Sequence, residues 1–115
     1  IQMRILTGDI ILPADTPNIQ FADVLIEVRD ISDADAPSQL IKEKRLHKVQ
    51  LKPKGLIHFK INVPEAEAGR ILSFRVHINK DGSGRVNEGD LLTTSIIPIP
   101  SKGSLDEIKI PVALI

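Results

Sequence analysis

Leu56-Ile57-His58-Phe59-Lys60-Ile61-Asn62-Val63 is the stretch that decides the fold. Ile57, Phe59, Ile61 and Val63 take every second place, with His58, Lys60 and Asn62 between them. Successive side chains of an extended chain point to opposite faces. A period of two therefore predicts a strand with one face buried and the other in water. The same beat recurs downstream, where Leu72, Phe74, Val76 and Ile78 alternate with Ser73, Arg75 and His77. Upstream, Ala22, Val24, Ile26 and Val28 form one face within 21–31, and Asp23, Glu27 and Arg29 the other.

Further strands are expected on either side. Met3 to Leu12 is rich in β-branched bulk, with Gly8 marking a bend or bulge. Leu40 to Leu51 is a mixed strand crowded with lysine, the composition of a guarded sheet edge. An extended pattern resumes from Leu91 to Ile97, and Leu105 to Leu114 closes the chain with Ile108, Ile110, Val112 and Leu114 on one face. Proline and glycine punctuate the joins, at 13–17, 37, 64–69, 79–90 and 98–100. No segment sustains a 3.6-residue apolar period. About seven mainly antiparallel strands follow, and with them an all-β fold: a single-domain β-sandwich over residues 1–115. A hairpin of 56–63 with 71–78, centred near residue 67, would place His58 opposite His77. Cross-strand neighbours that close can share a transition metal, although histidines facing solvent from a sheet satisfy the same pattern.

Composition excludes several classes of function. Basic and acidic residues number 15 each, so no net charge draws the chain to nucleic acid or an anionic membrane. Without Trp or Tyr, and with three Phe, it has no platform for stacking bases. The absence of Cys removes disulfides, thiolate chemistry and Cys-ligated zinc. No apolar run approaches the roughly 20 residues of a membrane-spanning helix. Charge is uneven along the chain: residues 1–35 carry seven acids and two bases, whereas Lys42, Lys44, Arg45, Lys48, Lys52 and Lys54 surround the lone acid Glu43. The two regions are expected to face each other, or the lysines to form a solvated sheet edge; a dedicated site for an acidic partner is the lesser alternative.

One stretch has the spacing of a metal loop. In Asn79-Lys80-Asp81-Gly82-Ser83-Gly84-Arg85-Val86-Asn87-Glu88-Gly89-Asp90, oxygen-bearing side chains fall at Asn79, Asp81, Ser83, Asn87 and Asp90. Arg85 would add its backbone carbonyl, and Gly84 takes the bend. Calcium loops of the EF-hand or dockerin kind place oxygens at positions 1, 3, 5, 7, 9 and 12 around a glycine at 6. Only Asp81 and Asp90 of this set are charged, so any calcium site here is weak, with dissociation constants of about 10⁻⁴–10⁻³ M. A glycine-rich connection, in which Asp81 and Asn87 bond their own backbone, fits the same residues without a metal.

Short pieces along the chain resemble the YbaY/YscW-type lipoprotein family, a group that includes type III secretion lipoprotein chaperones (pilotins). They are Thr7-Gly8-Asp9 with Leu12-Pro13, Val24 to Ser32 leading to Asp35-Ala36-Pro37, Phe74 to Ile78 before the glycine loop, and Leu92-Thr93-Thr94 after it. The resemblance spans nearly the whole chain and implies a small β-sandwich of the bacterial envelope. It brings no catalytic residue, and this sequence has no Cys to carry a lipid. If Met3 is the native start, cytoplasmic residence follows instead.

Enzyme chemistry finds little support in the sequence. There is no Gly-x-Ser-x-Gly elbow, phosphate loop or His-Glu-x-x-His. Ser73 shares a predicted face with His77, and Asp33 and Asp35 stand two apart in a loop, but no third group marks either as activated. A catalytic reading would require a concave pocket gathering His and Arg. The sequence points to a non-enzymatic module whose partner is another protein.

Overall fold

The computed structural model describes all 115 residues and contains no helix. Nine strands follow one another: β1 Met3–Ile11, β2 Ile19–Asp30, β3 Gln39–Leu51, β4 Leu56–Pro64, β5 Leu72–Asn79, β6 Leu91–Leu92, β7 Pro98–Ile99, β8 Leu105–Pro111 and β9 Ala113–Leu114. They form two sheets. The smaller has the order β4-β1-β8; the larger has the order β3-β2-β5-β6-β9, with β7 paired to the start of β5.

Alternation in the sequence becomes the core. Ile57, Phe59, Ile61 and Val63 of β4 face Val24, Ile26 and Val28 of β2 and Leu72, Phe74, Val76 and Ile78 of β5, all within one cluster of 20 buried apolar residues. The sheets touch edge-to-face through Phe59 and Phe74, whose ring centroids are 5.5 Å apart at 69°. Such a pair adds about 0.5–1.5 kcal/mol beyond its buried area.

The expected hairpin between 56–63 and 71–78 does not form. Strand β4 pairs with β1 in one sheet and β5 with β2 in the other. His58 therefore sits exposed beside Asp9 on the small sheet, while His77 is buried in the large one. Two consecutive strands that bury the same parity can pair with each other or face each other, and alternation alone does not distinguish these cases. The connection decides it. It is anchored by Glu65 N–H to the Gln2 carbonyl and Ala66 N–H to the Ser101 carbonyl, and so crosses between layers instead of turning back.

Gly8 is the predicted irregularity in β1. The register of β1 against β8 shifts between Leu6 and Gly8. A Cβ at Gly8 would lie 2.0 Å from the Ile108 carbonyl oxygen, so only glycine admits this approach. The β1–β8 pairing is parallel, the one exception to antiparallel order. Two expected strands are broken. The pairing that begins at Leu91 stops at Leu92. The final segment divides at Val112, sending β8 to the small sheet and β9 to the large one. At the sheet margins, β3 is the outer strand of the large sheet, as its lysines predict, and β4 is an outer strand of the small one.

Candidate functional site

The 79–90 loop leaves the end of β5 and returns to β6. Its first half is a ladder of side chains that accept from the backbone two residues on. Asn79 Oδ1 accepts from Asp81 N–H at 3.0 Å, Asp81 Oδ1 from Ser83 N–H at 2.9 Å, and Ser83 Oγ from Arg85 N–H at 3.2 Å. Each is the local turn that Asn, Asp and Ser favour. Gly84 sits at φ 77°, the left-handed bend expected of it.

Amides close the centre of the loop. Asn79 Nδ2 donates to the Arg85 carbonyl at 3.0 Å, and Asn87 Nδ2 donates to Ser83 Oγ at 3.1 Å and Asp81 Oδ2 at 3.3 Å. The predicted metal residues Asn79, Asp81, Ser83, Arg85 and Asn87 are thus brought together around nitrogen donors. Asp90, the sixth, is committed to His77 and to two backbone amides of the loop. Its Oδ2 accepts from His77 Nε2–H at 2.9 Å and Asn87 N–H at 3.0 Å, and its Oδ1 accepts from Lys80 N–H at 3.2 Å. Calcium takes six to eight oxygens. With two amide nitrogens at the centre and the second carboxylate occupied, the donor set as placed does not fit that ion. No group of three or more His, Cys, Asp or Glu side chains gathers elsewhere to hold a metal.

Asp90 is completely buried. Burial alone would push its carboxyl up. The hydrogen bonds from His77, Asn87 and Lys80, with the charge of His77, outweigh burial and hold it below the usual range. An ionised carboxylate only accepts, so the proton between the two residues belongs to His77 Nε2. The exposed Asp81 carboxyl is also lowered, mainly by the backbone and side chain of Ser83.

Beside the loop, on the outer face of the large sheet, lies a cleft of about 100 Å³. Arg45, His47, Asp23, Asn79 and His77 line it, with His47 Nδ1 3.0 Å from Asp23 Oδ1. The cleft does gather His and Arg, but no hydroxyl or thiol lines it. Sites for small molecules usually enclose about 300–1,000 Å³. Ser73 lies on the same face as His77, as its parity predicts, but its hydroxyl is committed to the backbone, accepting from Ile97 N–H at 2.9 Å.

The acids of the first strands do not neutralise the lysines of β3. Asp23 takes His47, Glu27 takes Arg29 and Arg75, and Asp30 takes Arg70. Every ion pair in the molecule uses Arg or His, and none of the nine lysines has a carboxylate within 4.0 Å. Lys42, Lys44 and Lys60 meet in a groove of about 370 Å³ between the outer strands β3 and β4, with Glu43, Ile61 and Asn62 completing its walls.

No family model matches the sequence, and no curated protein matches it. The fold itself has a solved counterpart. An alternative pilotin from the type II secretion system of Vibrio cholerae is similar to this chain with a TM-score of 0.70, over 97% of this chain and 98% of the other, at 16% identity. That likeness covers both chains almost end to end and shows a shared architecture. The YbaY/YscW resemblance read from the sequence has no matching family model, whereas its expectation of a small β-sandwich holds.

Proposed function

We propose that this chain is a pilotin-like accessory protein of a bacterial secretion system, a non-enzymatic module that binds another protein in the cell envelope. The observation that carries the reading is the structural likeness to a type II secretion pilotin along nearly the whole of both chains. The surface supports it. The polar cleft is too small for an ordinary substrate and offers no hydroxyl or thiol, and the loop beside it is spent on its own hydrogen bonds. What remains available is unpaired charge and open strand edge, the materials of protein recognition.

The family resemblance read from the sequence implies a secretin as its partner. Co-expression with the secretin of a type II system, followed by affinity capture and native mass spectrometry, tests this. The expected result is a complex of fixed stoichiometry, with envelope fractionation placing both proteins together. Failure to capture the secretin, together with unchanged secretin assembly in cells lacking this protein, would overturn the proposal.

A further inference from the structure

We propose that the groove between β3 and β4 takes an acidic, extended segment of a partner protein, added as a strand to β4 with its carboxylates against Lys42, Lys44 and Lys60. The inference concerns the chemistry of the segment and does not rest on the pilotin reading.

The backbone of β4 is ready for such a strand. Its pairing with β1 runs through nine residue pairs without a register shift, and nothing pairs on its other side. In an antiparallel pair, alternate residues turn both N–H and C=O away from the partner. Two contacts fix the parity here. Ile5, opposite Asn62, sends its N–H to Ser104 Oγ on the far side of β1, and the Lys60 carbonyl accepts from Lys44 Nζ across the groove. His58, Lys60 and Asn62 therefore present donors and acceptors to the open edge. Strand β3 offers no such row. Its register against β2 shifts between Ala22 and Val24 and again between Val28 and Arg29, and Lys48 sits at φ 56°. Bulges of this kind prevent regular pairing.

Charge selects the occupant. Three lysines without ion pairs line the groove, and its one acid, Glu43, lies 3.9 Å from Arg45. A second copy of the chain would bring the same lysines and be repelled. Side chains of an added strand alternate, so glutamates at every second place on its inner face would meet Lys42 and Lys44, which pair with the core-facing Val28 and Ile26, while Lys60 on the outer face of β4 adds its charge at the rim. Lys44 already occupies the Lys60 carbonyl that an incoming N–H would take. Its ammonium is released to a carboxylate when the strand arrives. A lipid headgroup would use the lysines but not the row of backbone groups, which favours a peptide.

The test uses a fluorescein-labelled nine-residue peptide alternating Glu and Thr, with anisotropy and hydrogen exchange as readouts. We expect saturable binding, weakened about tenfold or more in K42E/K60E, which corresponds to about 1.4 kcal/mol. Binding should also weaken as salt rises. The neutral variant K42Q/K60Q should fall between the two, which keeps the test valid if charge reversal perturbs folding. The amides of His58, Lys60 and Asn62 should gain protection on binding. Equal affinity for the Lys/Thr peptide would overturn the proposal. So would equal affinity for a Glu/Thr peptide N-methylated at alternate amides, which keeps the charge and loses the donors. Binding of phosphatidylglycerol vesicles without binding of the peptide would also overturn it.

Discussion

The 79–90 loop and the β3/β4 edge treat polar groups in opposite ways. In the loop, Asn79, Asp81, Ser83, Asn87 and Asp90 are all joined to one another, to the backbone or to His77. At the edge, Lys42 and Lys60 form no ion pair, and the one contact of Lys44 is a carbonyl of the neighbouring edge. The stretch with the most conspicuous spacing is therefore an internal fastening. The plainer lysine run is the surface whose charges stay unpaired. Local self-satisfaction is a mark of structure, and charge without a counterpart is a mark of recognition.

The largest break in this contrast should come from Asp90→Ala. It strands His77 Nε2 and the amides of Lys80 and Asn87 in a closed environment. A loss of about 3 kcal/mol is expected, read as a fall in Tm of roughly 10–15 °C. Phenylalanine at the sheet interface gives a reference of similar size: Phe59→Ala should cost about 3–5 kcal/mol through its cavity.

Acid comes next. The Asp90 carboxyl is lowered in the fold by His77 and two amides despite its burial, and the Asp30 carboxyl is lowered chiefly by Ser32, with Arg70 adding. A carboxyl that titrates lower folded than unfolded favours the fold fully above its unfolded value, about 3.9 for Asp. That stability is lost as pH falls through the folded value. Stability should hold down to about pH 4 and then decline. Asp90→Asn should flatten that acid limb, which denaturant melts between pH 2 and 7 would resolve.

Smaller effects separate the regions further. Millimolar calcium against chelator should leave Tm unchanged, because the loop is closed by Asn79 and Asn87 nitrogens. A rise would show that calcium binds the folded state, against the loop closure described above. The smallest effect belongs to the edge: Lys42→Gln or Lys60→Gln should alter stability by no more than about 0.5 kcal/mol while weakening an acidic peptide.

Much of the fold was legible in the sequence because burial writes a period of two. The apolar faces of β2, β4 and β5 were read residue by residue, and so were the Gly8 irregularity and the lysine-rich outer strand. The opposite face of β5 is not in water: Ser73, His77 and Asn79 are buried there, as is Glu27 of β2, beneath the loops and ion pairs of the large sheet. Which sheet each strand joins was not legible, since β4 and β5 bury the same parity in different layers. That loss removed the His58–His77 pairing. The site was legible only in part. Spacing marked the loop residues as convergent, but it does not say which end of an amide points inward, nor that Asp90 is held by His77. Equally, a lysine run does not reveal that its acids have gone to arginine and histidine instead.

Amide hydrogen exchange on the free protein tests the contrast most directly. The loop amides of Lys80, Asp81, Ser83 and Asn87, each donating to a side chain, should be protected, while those of His58, Lys60 and Asn62 on the open side of β4 exchange rapidly. A fast-exchanging loop beside a protected β4 edge would contradict the account.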